Sequence, residues 1–190
     1  VSDINNPTAA TTNYLVPHRF TLRASYSHNF FGDYLTRIAL YGYSKEGQPQ
    51  SFIMGRNNFE GDGYYGRHLL YVPTGIDDPN VVFGDDFDTN DFFAWINNQG
   101  LEPGLQKRND GHADWTTRFD LYLSQELPTF FGDSRARFYV KIYNLGNMID
   151  DSWGLVNDAP FFTVDAVRAH ANDAGQIVYD RFNGGELSYV

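Results

Sequence analysis

Apolar and polar residues alternate along four stretches of this chain, and the alternation predicts four β-strands. From Arg19 the series Arg19, Thr21, Arg23, Ser25, Ser27 interleaves with Phe20, Leu22, Ala24, Tyr26. A period of two puts the two series on opposite faces of a strand. Thr36, Ile38 and Leu40 alternate in the same sense with Arg37, Ala39 and Tyr41. Phe119, Leu121 and Leu123 alternate with Arg118, Asp120, Tyr122 and Ser124, and Ala136, Phe138, Val140 and Ile142 with Arg137, Tyr139, Lys141 and Tyr143. Between the members of each pair stands Phe-Phe-Gly-Asp, first as Phe30-Phe31-Gly32-Asp33 and again as Phe130-Phe131-Gly132-Asp133. The chain is expected to be all-β and built from antiparallel hairpins.

Alternation alone does not choose a solvent, because a soluble antiparallel sheet has one apolar face as well. Three features point to lipid. Each run is about 9 to 13 residues long, where a globular strand averages about 5 to 6 and a tilted membrane-spanning strand needs about 9 to 11. Phe30, Phe31, Tyr34, Phe130 and Phe131 cluster at strand ends, as interfacial girdles do. Connections are asymmetric: two short Gly-Asp turns stand against roughly sixty residues between the second and third strands, the pattern of barrels with short periplasmic turns and long outer loops. The expected fold is therefore a segment of an antiparallel transmembrane β-barrel.

Composition narrows the reading without changing it. Asp and Glu outnumber Lys and Arg by 24 to 14, a formal charge of −10, which argues against a basic nucleic-acid surface. The absence of Cys removes disulfides and thiolate metal sites. Modest hydropathy is what a barrel leaves, since half of every strand faces water. The polar start at Val1 and the stop at Leu187-Ser188-Tyr189-Val190 suggest a piece of something larger, because a barrel cannot close on five or six strands.

Between Ser51 and Ala113 alternation gives way to turn formers such as Gly55, Asn57, Asn58, Gly61, Gly63, Pro73, Gly75 and Pro79. The aromatics Phe59, Tyr64, Tyr65, Tyr71, Phe83, Phe87, Phe92, Phe93 and Trp95 argue for a folded extracellular cap rather than a disordered loop. Asp88-Thr89-Asn90 supplies an N-cap for a short helix carrying Phe92, Trp95 and Ile96, with Gly100 as its stop. The segment holds ten acidic and four basic residues. Glu60 and Asp62 beside Gly61 and Gly63 resemble half of a calcium loop, the one cofactor candidate in the chain. Asp77, Asp78, Asp85, Asp86 and Asp88 form a second acidic cluster, suited to repelling anionic lipopolysaccharide or bridging it through divalent ions. Tyr64, Tyr65, Asp85, Asp86 and Trp95 are the candidate substrate-gate residues.

An enzyme is not expected. The histidines His18, His28, His68, His112 and His170 show no zinc spacing, His68 and His112 being the least easily dismissed. Ser124 and Ser134 lack a G-x-S-x-G context.

Several motifs in order resemble a known family: Val16-Pro17-His18-Arg19-Phe20, Asp62-Gly63, Leu69-Leu70-Tyr71-Val72-Pro73, Arg108-Asn109, Trp115-Thr116-Thr117-Arg118-Phe119-Asp120-Leu121 and Ile142-Tyr143-Asn144-Leu145-Gly146-Asn147. Over residues 16–150 the chain is similar to the C-terminal barrel of TonB-dependent outer-membrane receptors, in particular their Oar-like branch. Asn144-Leu145 resembles the family's Asn-Leu-Phe-Asp signature, with Gly146-Asn147 in place of Phe-Asp. The resemblance implies that residues 1–190 are the last strands of a 22-stranded barrel in a Gram-negative outer membrane, with residues 51–113 as the outer loop. The implied partners are membrane lipid and lipopolysaccharide, a plug domain and through it TonB, and a surface lipoprotein. Neither plug, TonB box nor closing strand is recognisable in this stretch. Phe161 to His170 and Gln176 to Phe182 are expected to form the penultimate wall hairpin around Asn172-Asp173-Ala174-Gly175. In that architecture Arg19, Arg23, Arg37, Arg118, Asp120, Arg137 and Lys141 face the lumen, while Phe119, Leu121, Leu123, Phe138, Val140 and Ile142 face lipid.

The rival reading is a secreted soluble β-sandwich that stacks carbohydrate on Tyr64, Tyr65 and Trp95. A barrel without active transport is a third possibility.

Overall fold

The computed structural model describes residues 9–55, 68–156 and 162–184. Its elements in chain order are β1 (Arg19–Phe31), β2 (Tyr34–Lys45), β3 (Pro49–Gly55), β4 (His68–Leu69), β5 (Tyr71–Val72), β6 (Val81–Phe83), helix α1 (Thr89–Gln99), β7 (Gly104–Leu105), β8 (Gly111–His112), β9 (Thr116–Pro128), β10 (Arg135–Ile142), β11 (Thr163–Ala171) and β12 (Ile177–Phe182). The chain is mostly β and divides into two compact units, residues 16–47 with 114–156, and residues 1–15 with 48–113 and 157–190.

The first unit is a four-stranded antiparallel sheet in the order β1-β2-β9-β10. It is open, with β1 and β10 at its edges. The alternating stretches become its strands, β1 and β9 each running 13 residues and β2 running 12. The first Phe-Phe-Gly-Asp closes on two residues, with Gly32 at φ 62. A positive φ at the first central position belongs to type II′ turns, whose twist matches the strands they join, and glycine adopts it without strain. The second copy opens into a longer loop, residues 129–134, closed where Thr129 Oγ1 donates to the Ser134 carbonyl at 2.8 Å. Both hairpin turns lie at one end of the sheet, and the connections to residues 46–115 and beyond Ile142 leave from the other.

Beyond β10, Asn144 takes the left-handed conformation at φ 54 and begins the short 3₁₀ turn Leu145–Met148. Its backbone N–H donates to Asp120 Oδ1 at 2.8 Å and its amide to the Trp153 carbonyl at 3.2 Å. The Trp153 ring then covers Gly146 so closely that a Cβ there would stand 2.7 Å from it. The Asn-Leu-Gly-Asn motif thus has a local physical reason: Asn tolerates a left-handed backbone, and Gly admits an indole.

The second unit holds the core. A mixed sheet in the order β4-β3-β11-β12-β6, with β8 also on β3, pairs β11 in parallel with β3 and β12 in parallel with β6. Helix α1 lies where the capping signals place it. Asp88 Oδ1 accepts from Asp91 N at 2.9 Å, and Gly100 at φ 65 ends the helix while Leu101 N reaches back to the Ile96 carbonyl at 3.1 Å. With the Gly100 N–H donating to the Asn97 carbonyl at 3.2 Å, the C-terminal end forms a Schellman close. Phe87, Phe92 and Tyr179 meet with ring centroids 5.3 to 5.6 Å apart, and Phe83, Trp95 and Phe182 pack around them.

Two expectations change here. The hairpin of β11 and β12 exists, and Asn172 Oδ1 organises its turn by accepting from Ala174 N and Gln176 N, but it joins the mixed sheet rather than the four-stranded one. Parallel pairing with β3 is the reason, since β11 uses its second edge for β3 and not for a wall strand. Residues 51–113 are likewise not loop throughout: β3 opens them as a strand buried along its full length.

Candidate functional site

Register fixes the two faces of the four-stranded sheet. Arg23 pairs with Tyr41 and Tyr41 with Asp120; Ser25 pairs with Ala39, Ala39 with Tyr122, and Tyr122 with Lys141; Ser27 pairs with Arg37. All seven residues expected on the lumen side, Arg19, Arg23, Arg37, Arg118, Asp120, Arg137 and Lys141, therefore share one face. Lys45 and Arg135 join them, so that eight of the chain's 14 Lys and Arg lie on this face, with Asp120 and Glu126 as its carboxylates. A groove of about 640 Å³ runs across it between Arg23, Arg37, Tyr41, Asp120, Tyr122 and Lys141.

The carboxylates are already engaged. Arg118 Nε donates to Asp120 at 2.9 Å, and Glu126 accepts from Arg137 at 2.8 Å and Arg135 at 3.2 Å. Arg37 donates to Ser27 Oγ at 3.3 Å, and the Lys141 ammonium lies 5.7 Å from the centre of the Tyr139 ring. Arg23, Arg37 and Lys141 have no carboxylate partner among the described residues.

On the opposite face stand Phe20, Leu22, Tyr26, Ile38, Leu40, Phe119, Leu121, Leu123, Phe138, Val140 and Ile142. This face is bare: Leu22 is 52 % exposed, Phe138 62 % and Phe20 66 %. Among the described residues, every buried apolar side chain lies in the second unit and none in this sheet. Phe119 lies over Gly42 of the neighbouring strand, where any Cβ would stand 2.5 Å from its ring. Aromatics mark both ends of the face. Phe30, Phe31, Phe130 and Phe131 are exposed at the hairpin end, and Trp115 stacks on Phe20 at 5.9 Å and on His18 at 6.5 Å at the other.

The cap residues fare differently. Glu60, Asp62, Tyr64 and Tyr65 lie outside the described residues. Asp85 and Asp86 are exposed beside the N-terminus of α1. Trp95 is not a free aromatic: it packs edge-on against Phe52 at 5.4 Å and against Phe182 at 5.7 Å, because it falls on the helix face turned to the core. The acidic cluster also divides. Asp88 caps α1, and Asp78 is buried, accepting from Thr74 N at 2.8 Å, Asn80 N at 2.9 Å, Thr74 Oγ1 at 3.1 Å and Tyr71 OH at 3.2 Å. These donors hold its carboxyl at about 2, below the usual carboxylate range.

Asn109, which sequence reasoning valued only as part of a motif, ties distant segments together. In the left-handed conformation and buried, it donates from its backbone to Ser51 Oγ at 2.8 Å and from its amide to the Thr11 carbonyl at 2.6 Å. His68 and His112 pair with Met54 and Pro49 near opposite ends of β3 and do not meet. No cluster of three or more His, Asp or Glu suited to a metal occurs among the described residues. No family model, characterised relative or solved structure matches the chain.

Proposed function

We propose that β1, β2, β9 and β10 are neighbouring wall strands of an outer-membrane β-barrel, and that the chain is the C-terminal barrel region of a TonB-dependent receptor of the Oar-like kind. The carrying observation is the bare apolar face. A soluble sheet of this length needs a second layer, since exposed apolar patches on soluble monomers seldom exceed a few hundred Å². No apolar layer covers this face among the described residues.

Dimensions support lipid as the cover. Phe20 and Phe30 stand ten residues apart on β1, about 33 Å along the strand and about 25 Å along the membrane normal at a tilt of about 40°. That height equals the apolar band of outer-membrane barrels. Free edges on β1 and β10 suit continuation into further strands, because an open edge in hydrocarbon leaves backbone groups unpaired. The second unit, inserted between β2 and β9 and extended by β11 and β12, then serves as a surface domain that receives substrate.

The test is lipid contact. Single tryptophans placed at Leu121 and Leu123 should be quenched by brominated lipid, while those at Asp120 and Tyr122 should not. Equal quenching at all four positions, or none, would overturn the wall assignment and favour the soluble carbohydrate-binding sandwich.

A further inference from the structure

We propose that the groove on the polar face binds a soluble solute carrying two or more anionic groups, carboxylate or phosphate. The inference deepens the wall reading and rests on it for what brings the solute there.

Charge segregation comes first. The chain as a whole carries a formal charge of −10, yet eight of its 14 cations occupy one face of one sheet, against two carboxylates. Random placement in an acidic chain does not produce a basic face. The two carboxylates are consumed by Arg118, Arg135 and Arg137, so the groove itself keeps an excess of positive charge.

Geometry comes second. Arg23 lies on β1, Arg37 on β2 and Lys141 on β10. Arg23 and Arg37 stand two side-chain rows apart, and Lys141 stands in the row between them on the far edge. With strands about 4.8 Å apart and rows about 7 Å apart, their backbones are roughly 12 to 16 Å from one another. Side chains of this length close that gap around a groove of about 640 Å³, the size of a small-molecule site. Guanidinium groups present paired N–H donors that match carboxylate and phosphate oxygens. Tyr41 and Tyr122, lining the same groove, add hydroxyl donors and ring surface for the solute's uncharged part. The sign is opposite to the one the acidic cap suggests, because Asp78 and Asp88 are engaged in local structure while Arg23, Arg37 and Lys141 are uncompensated.

The experiment is calorimetric titration of the full chain in detergent with citrate, pyrophosphate, spermine and poly-glutamate. Citrate or pyrophosphate should bind saturably, and the tighter of the two assigns the anionic group. Arg23→Gln, Arg37→Gln and Lys141→Gln should each weaken binding roughly tenfold, and Arg23→Lys, which keeps the charge and loses the paired donors, should weaken it less than Arg23→Gln. Raising NaCl from about 50 to about 300 mM should weaken it severalfold. Circular dichroism of each variant verifies the fold. No saturable binding of either small anion, affinities unmoved by the substitutions, or tighter binding of spermine would overturn the proposal. So would binding of poly-glutamate alone, which would assign the face to an acidic polypeptide. Should the chain prove soluble without detergent, the wall reading fails separately and the same titrations in buffer still decide this one.

Discussion

Single residues in this chain are legible where local chemistry dictates them. Asp78 shows how far that goes: its place in an acidic cluster suggested surface charge, whereas five surrounding donors, the Asn80 side-chain amide among them, make it the hub of the turn that leads into β6. Sequence could not show this, because the donor Tyr71 is brought in by the fold. The hub makes a pH prediction. A carboxyl held at about 2 in the folded chain against 3.8 ordinarily contributes stability that is complete above about pH 4 and lost as pH falls through about 2. The melting temperature of wild type should therefore exceed that of Asp78→Asn by a constant margin above about pH 5, and the margin should shrink below about pH 4. A margin that widens on acidification would contradict the assignment. At Gly146 the constraint is steric, since a Cβ would stand 2.7 Å from Trp153. Gly146→Ala should destabilise the turn by about 1 to 3 kcal/mol. In a Gly146→Ala/Trp153→Ala double variant most of that loss should vanish, as measured by a denaturant double-mutant cycle.

At the level of elements, strands with one wet face announced themselves and strands buried on both faces did not. β1, β2, β9 and β10 follow from alternation. β3, Pro49–Gly55, is buried along its whole length, so its sequence has no polar phase to betray it and reads as the start of a loop. Its partner β11 is more than a hundred residues away and pairs in parallel, a contact that no local pattern encodes. Helix α1 was legible because its stops are local: Asp88 at the start and Gly100 at the end. Asp88→Ala should cost about 1 kcal/mol, read from thermal unfolding of the helical signal. On β9 the two faces should respond unequally. Leu123→Arg, on the apolar face, should cost about 2 to 4 kcal/mol in bilayer refolding, and Tyr122→Arg, on the polar face, under about 1. Equal costs would mean that both faces meet the same solvent.

For the molecule as a whole, apolar side chains are disposed in two different ways. One unit gathers the buried apolar side chains into a conventional core around Phe92 and Tyr179, and the other spreads its apolar residues over an uncovered face. Hydropathy averaged over the sequence blends the two and hides the contrast, which emerges only once register assigns each residue to a face. The same averaging hides the basic face, since a net charge of −10 carries no trace of where its cations lie. An uncovered face with aromatic ends about 33 Å apart along the strand is the property on which the membrane reading stands. It is tested most directly by fractionating native cells and following the parent polypeptide through outer-membrane isolation and electrophoresis with and without boiling. The account predicts an outer-membrane protein that needs detergent, migrates differently when heated, and has a mass several times that of these 190 residues. A protein of about this size that stays in solution without detergent would contradict it.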